Sequence, residues 1–266
     1  MINTTIGTGG RFANHFFRNL VSHFMAKNNN LKFTYSYSRE FFNLGIDLYK
    51  DGSQTYNEDI LITDDNFFEF IKNNTRFNKN VIFPPHMYAQ TRDFSFYVRD
   101  YITADENKKK IIEKNLFKER YNNNNDVFVH IRLGDSVHVN PGYIYYDWVL
   151  SNLNFEKGFI SSDLLTHPLC IALIKKYNLT PIINTEVKTI MFASTCKNIV
   201  LSNGTFSWLI GLLGFYSNVY YPKIKEVWHG DIFIFKDWNE VDTNNSIPPL
   251  PYDKALIMMK KYGIKY

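Results

Sequence analysis

Two hydrophobic rhythms run along this chain of 266 residues, and the second half carries the clearer one. From residue 127 onward, short apolar runs alternate with longer segments of helical period. VFVHI predicts a strand and YYDWVLSNL a helix. FISSD predicts a strand with a polar exit, PLCIALIKKYN a helix, PIINT a strand and TIMFASTC a helix. NIVLSN predicts a further strand, and TFSWLIGLLGF a helix that starts directly after it. Strands alternating with helices predict an α/β fold around a parallel, doubly wound sheet. Ligands of such sheets bind at the carboxyl ends of the strands, and three of these strands end in polar or small residues.

The first half is more broken. GTGGRFANHFFRNLVSHFMAKNNN reads as a glycine-rich turn followed by a helix, with Phe16, Leu20, Val21 and Phe24 at helical spacing and the asparagine run as its stop. LKFTYSY alternates as a short strand, NFFEFIKNNT has helical character, and VIFPP is a strand cut off by prolines. RDYITADENKKKIIEKNLFKERY reads as one charged helix with apolar positions at Ile111, Ile112 and Leu116. Asparagine favours loops and left-handed turns, so NNNN at 122–125 predicts a linker between the two halves. The tail LPYDKALIMMKKYGIKY predicts a terminal amphipathic helix, and no internal repeat is present.

Composition narrows the classes. A hydrophobic content of 45% supports a sizeable core, and a formal net charge of +4 is too small to argue for nucleic-acid binding. Lysine outnumbers arginine 22 to 8, so each arginine is a candidate for planar, bidentate recognition. Cys170 and Cys196 are the only cysteines and lie in no CxxC, which argues against a disulfide framework and a structural zinc site and for a reducing compartment. MINTTIGTGGRF lacks the features of a signal peptide, and the best apolar run, WLIGLLGF, is too short to span a bilayer. A soluble, cytoplasmic protein is the expectation.

Three stretches carry chemistry. HIRLGD places Arg132 at the exit of a strand, where a guanidinium can clamp a phosphate through two parallel hydrogen bonds, with His130 and Asp135 beside it to orient it or touch the same ligand. The plainer alternative is a Leu-Gly-Asp turn with Arg132 paired to a distant carboxylate. A metal site on His130 and Asp135 is disfavoured by the cation between them. LSNGTFSW puts Ser202, Thr205 and Ser207 at a strand-to-helix junction, suited to anions but equally to an ordinary helix cap. GTGGRFANH allows close approach of backbone to a ligand at its glycines, yet it is not GxGxxG, and a dinucleotide dehydrogenase is rejected. GxxxxGK and GxSxG are both absent, which removes a Walker phosphate loop and a serine-hydrolase elbow.

In order along the chain, GGRFANHFFRN, HIRLGD and SNGTFSW resemble the motifs of GDP-fucose-dependent fucosyltransferases, most of all the α-1,2-fucosyltransferases, whose usual forms are close to GGLGNQMFQ, HVRRGD and SNSTFSWW. Tyr145 and Tyr146 match a tyrosine pair, FISSD resembles FSDD, FKDWNEVD resembles PxDWxxI, and YAQTRDFSFY resembles GYFQSxKYF, so the resemblance covers nearly the whole chain. It implies a GT-B-like architecture of two Rossmann-like domains flanking a cleft. Residues 1–124 would form the acceptor-side domain, 125–240 the GDP-sugar-binding domain and 241–266 a tail.

The resemblance also implies roles. Arg132 would grip the diphosphate and stabilise the leaving GDP, with His130 and Asp135 beside it. Ser202, Asn203, Thr205, Phe206 and Ser207 would hold phosphates and nucleoside, and Asp163 would accept hydrogen bonds from guanine. Gly10, Arg11 and Asn14 would reach the diphosphate from the other domain. The implied reaction is inverting transfer of fucose from GDP-β-L-fucose to a glycan acceptor, α-1,2 to a galactoside, with no metal or other cofactor. Among His15, Glu40, His86 and Asp93 no general base stands out. Leu133 replaces the usual second arginine, Ser162 the first acid of FSDD, and His15 the usual glutamine. HIRLGD thereby comes close to the arginine motif of the protein O-fucosyltransferases. A different acceptor or linkage, including protein O-fucosylation, and an inactive GDP-sugar- or glycan-binding protein stay open.

Overall fold

A computed structural model describes residues 3–223, 230–242 and 248–262. The chain divides into two compact units, Met1–Asn115 with His229–Ile232, and Leu116–Trp228 with Phe233–Tyr266.

The first unit runs β1 (Asn3–Thr4), α1 (Phe12–Asn29), β2 (Phe33–Thr34), α2 (Ser38–Asn43), β3 (Asp59–Leu61), α3 (Phe67–Lys72), β4 (Asn80–Ile82), α4 (Arg92–Thr103) and α5 (Asp105–Lys114). Its strands pair only as two short parallel ladders, β1 with β2 and β3 with β4. Asn3 joins them: its side-chain oxygen accepts from the Val81 N–H at 2.6 Å, and its amide donates to the Lys32 carbonyl at 3.0 Å. A buried amide thus substitutes for part of a sheet ladder. α1 is buried on nearly every side and ends at Asn30, whose left-handed φ of 53° lets its N–H cap the Ala26 carbonyl.

The charged stretch expected as one helix is two. Ala104, at φ −54° and ψ 136°, leaves helical geometry, and α5 restarts with Asp105 and Glu106 in its first turn, where acids complement the helix dipole. Ile111 is buried as expected, whereas Leu116 lies beyond the helix and is exposed.

The second unit continues with β5 (Val127–Ile131), α6 (Tyr143–Ser151), β6 (Gly158–Ser162), α7 (Pro168–Tyr177), β7 (Thr180–Pro181), α8 (Glu186–Ala193), β8 (Asn198–Val200), α9 (Thr205–Leu213), β9 (Asn218–Pro222), β10 (Asn239–Val241) and α10 (Tyr252–Tyr262). The final four residues of the predicted tail helix lie outside the described residues. All six strands are parallel, in the order β7-β6-β5-β8-β9-β10. The chain winds outward from β5 to β7, returns to β8 on the other side of β5, and winds outward again. α6 packs with α7 and α8 with α9, as expected when a reversal of winding moves the helices to the opposite face. This is an α/β fold of the doubly wound, Rossmann-like kind, with its switch point between β5 and β8.

Asn124 is no tether. Its amide donates to the carbonyls of Arg120 at 2.6 Å and Thr195 at 2.9 Å, while its oxygen accepts from the N–H groups of Asp126 and Lys197. The run 122–125 is therefore a tied loop within the second unit, and the division between units falls earlier, at Asn115 and Leu116. α10 packs on α7, and its leading loop is held by His167, whose Nε2 pairs with the Leu250 carbonyl at 2.8 Å. No helix among the described residues is long and apolar enough to cross a membrane. Cys170 and Cys196 are both buried free thiols, each pushed up to about 12 by burial.

His23 supplies a measurable pH dependence. Its Nδ1 accepts from the Tyr49 N–H at 2.9 Å, and Tyr101 lies on its other side. Burial, then nearby Lys27, hold its pKa down to about 4, with Asp47 opposing. As pH falls from the ordinary histidine value of about 6.5, the unfolded chain takes up this proton before the folded one. The stability involved is intact above 6.5 and is lost progressively towards 4. Denaturant unfolding between pH 7.5 and 4.5 should show this loss at roughly 1.4 kcal/mol per pH unit from one such group, and His23→Gln should flatten the slope. An unchanged slope in that variant would contradict it.

Candidate functional site

β5 is buried on both faces, and its residues alternate between them. Val127, Val129 and Ile131 enter the apolar core with Tyr145, Tyr146, Val149, Leu169 and Leu173 of α6 and α7. Phe128 and His130 turn the other way, towards Phe192 of α8 and Phe206 of α9. Leu133 continues the first series: it is 0% exposed in the same apolar core. The position where the resemblance expects a second arginine therefore lies in the core, and a guanidinium there would be a buried charge. Leu133 is a packing residue and does not mark a cation lost from the site.

Arg132 leaves the strand between these series. It donates from one terminal nitrogen to Asp163 at 2.6 Å and from the other to Asp135, three residues on. The expectation of a distant carboxylate partner is thus met together with a near one. Asp163 follows β6, the next strand, and its other oxygen accepts the Leu133 N–H at 2.8 Å. Both its oxygens are engaged within the protein, although the resemblance assigns them to guanine. The guanidinium has five N–H donors; Nε and one hydrogen on each terminal nitrogen stay available. Asn140, which the sequence reading did not single out, fixes the backbone here: its amide donates to the Arg132 carbonyl at 2.7 Å and to the Tyr146 hydroxyl at 3.2 Å. The two tyrosines are likewise internal, with the Tyr145 hydroxyl donating to the Leu201 carbonyl at 2.9 Å, at the exit of β8. Ser162 caps its own turn by accepting the Leu164 N–H at 3.0 Å.

The exit of β8 lies beside that of β5. The N-cap of α9 is Gly204, which offers no side-chain acceptor, so the N–H groups of the first turn are not capped from within. Ser202, Asn203, Thr205 and Ser207 are all buried. Among the described residues, both polar atoms of the Asn203 amide and the Thr205 hydroxyl have no hydrogen-bond partner, and Ser202 Oγ has the Tyr146 hydroxyl beside it. Each buried group left unpaired costs about 1–3 kcal/mol, so such a concentration in one turn calls for a polar partner there, water or ligand. Ser207 differs: its Oγ lies 2.6 Å from His130 Nδ1 and accepts the Ser202 N–H at 3.2 Å. His130 is held far down, to about 3, by burial and then by Arg132, so its ring is neutral at physiological pH.

Gly10, Arg11 and Asn14 sit together in the first unit, at the head of α1. Gly10 has φ +107°, and a Cβ there would lie 2.9 Å from Asn14 Cβ. Asn14 accepts from the Gln90 amide at 3.1 Å. Arg18 is fully buried one turn on and donates to the carbonyls of Gly9 at 2.8 Å and Pro84 at 2.7 Å, which pins the glycine loop. His15 Nδ1, Arg18 Nε and Gln90 Oε1 are buried without a hydrogen-bond partner among the described residues. The pKa of His15 is lowered by burial and then by Arg18, with the Gly10 backbone opposing. Arg18 was the available signal for this cluster, a charge set between the apolar pairs Phe16-Phe17 and Leu20-Val21.

None of the protein-family models matches this chain, and no curated protein matches it.

Gly134 holds the β5 exit together. At φ +32° it follows Leu133, and a Cβ there would lie 2.6 Å from Asp163 Oδ2, the atom bound to Arg132. Gly134→Ala should displace that carboxylate and destabilise the protein by about 1–3 kcal/mol, measured by denaturant unfolding. A variant as stable as the parent would contradict this role.

Proposed function

We propose that this chain is a metal-independent, inverting GT-B glycosyltransferase that moves L-fucose from GDP-β-L-fucose to a sugar hydroxyl, α-1,2 on a galactoside of a glycan. The observation that carries the reading is the meeting, at the β5–β8 switch point, of Arg132 with the uncapped head of α9 and the unpartnered Asn203 and Thr205. Hydrogen-bond donors in surplus, a cation and a helix N-terminus suit a diphosphate, and the fucosyltransferase-like motifs supply the rest of the donor. The second unit is then the donor side and the first the acceptor side.

In this reading the acceptor oxygen attacks the anomeric carbon as the bond from that carbon to the β-phosphate oxygen breaks. The electron pair leaves with GDP and the acceptor proton passes to solvent or a base. Arg132 and the first turn of α9 stabilise charge as it develops on the leaving phosphate. One observation favours a second reading, binding of a GDP-sugar without transfer: Arg132 lies between two carboxylates, so the immediate surroundings carry one negative charge more than positive.

Two experiments test this. With GDP-fucose and a panel of galactosides, the parent should release GDP and form fucoside. Arg132→Ala should lose roughly 10²–10³-fold in rate, the scale of one removed charge-stabilising donor, with its circular dichroism unchanged. Full activity in the variant would remove Arg132 from the chemistry, and GDP binding without product would favour the second reading. Asp135 is mostly exposed, and Asp135→Asn should tighten GDP binding up to about fivefold, the scale of one exposed ion pair, by calorimetry. Weaker binding would show that Asp135 supports the ligand and does not compete with it.

A further inference from the structure

His130 and Ser207 form a pair whose protons can be placed. Ser207 is 1% exposed. Its hydroxyl has two hydrogen-bonding neighbours among the described residues, the Ser202 N–H at 3.2 Å and His130 Nδ1 at 2.6 Å. The backbone N–H can only donate, so the serine oxygen accepts there. Its own hydrogen then has one acceptor within reach, the Nδ1 lone pair. Were Nδ1 protonated, the serine hydrogen would be buried without an acceptor, an arrangement native structures avoid. A neutral ring whose Nδ1 accepts carries its hydrogen on Nε2. No described residue accepts a hydrogen bond from that Nε2.

We propose that Ser207 is a positioning residue that locks His130 as the Nε2–H tautomer, so that the ring offers the ligand at the β5–β8 switch point a neutral N–H donor and no basic lone pair. The ligand half of this inference rests on the reading of that switch point as a diphosphate site. The tautomer half rests on the geometry alone. The assignment separates the polar residues of this segment by role: Asn203 and Thr205 keep free hydrogen-bonding groups for a ligand, whereas the Ser207 hydroxyl is spent on aiming His130. It also removes His130 from the candidates for a general base, since the nitrogen with a lone pair is the one closed off by Ser207.

Long-range proton–nitrogen correlation spectra of the histidine rings in the free protein test the first half, with the His130 signals identified by their loss in His130→Gln. The expected pattern is a protonated Nε2 and a bare, hydrogen-bonded Nδ1, kept in Ser207→Thr and replaced by a mixture of tautomers in Ser207→Ala. A protonated Nδ1 in the parent would overturn the proposal, as would a Ser207→Ala spectrum identical to the parent's. Should Ser207→Ala fail to fold, the parent and Ser207→Thr spectra decide. Calorimetry with GDP tests the second half. Ser207→Ala and His130→Ala should each weaken binding roughly tenfold, the scale of one hydrogen bond to a charged group, while His130→Gln, which keeps a distal N–H, should lose less. Equal affinity in all four proteins would overturn the ligand role. If the parent itself binds no GDP, the diphosphate reading fails and the spectra still decide the tautomer.

Discussion

A central parallel strand must satisfy two buried faces at once, and β5 meets that demand in a way that shapes everything around it. One face takes three aliphatic residues into the core with α6 and α7. The opposite face takes Phe128 and then His130, a polar ring accepted there because the first turn of α9 brings a serine hydroxyl to it. The strand that anchors the fold is therefore the strand that carries the candidate site. After Ile131 the alternation persists: Arg132 is turned to the sheet's edge and Leu133 returns to the core. Only glycine then permits the chain to turn beneath the Asp163 carboxylate.

The charge arrangement around Arg132 follows from the same topology. β5 and β6 are neighbours in register, so the residue after each strand meets its counterpart, and Asp163 bridges both the Arg132 side chain and the Leu133 backbone. That bridge orients the guanidinium and also dilutes its charge. At the neighbouring strand exit, the β8–α9 turn offers the opposite: an uncapped helix head and the unpartnered Asn203 and Thr205. The polarity of the edge is thus graded, with Asp163 and Asp135 at one end and the uncapped helix at the other.

Much of the second unit could be read directly from sequence because its elements are long enough for period to show. VFVHI, PLCIALIKKYN and TFSWLIGLLGF each carry one unambiguous rhythm, and their predicted positions agree closely with β5, α7 and α9. Of the strands that escaped notice, β1, β3 and β10 are two or three residues long and pair with a single partner, whereas β9 lies between β8 and β10 with an apolar content too low for its five residues to stand out. The split between α4 and α5 has no proline or glycine to announce it; the signal was Asp105-Glu106, two acids that belong at a helix start and interrupt a helix interior. In the site, residue types sufficed to bring HIRLGD and LSNGTFSW to one edge. They could not show that Leu133 points inward, that Ser207 is consumed by His130, or that Asp163 is already engaged. Those facts depend on the face each side chain takes and on which strand lies next door.

The two thiols have a practical consequence. Cys170 and Cys196 are the whole cysteine complement, both are sealed in the core, and burial raises both far above neutral pH. Since the thiolate is the reactive species, the folded protein presents almost none to an alkylating dye. A single cysteine introduced on the exposed turn after Gly134 would then be the only group to react, giving a fluorophore or spin label beside Arg132 on an otherwise wild-type background. Unfolding would expose the native pair, so the rate at which they become alkylated doubles as a clock for opening of the second unit.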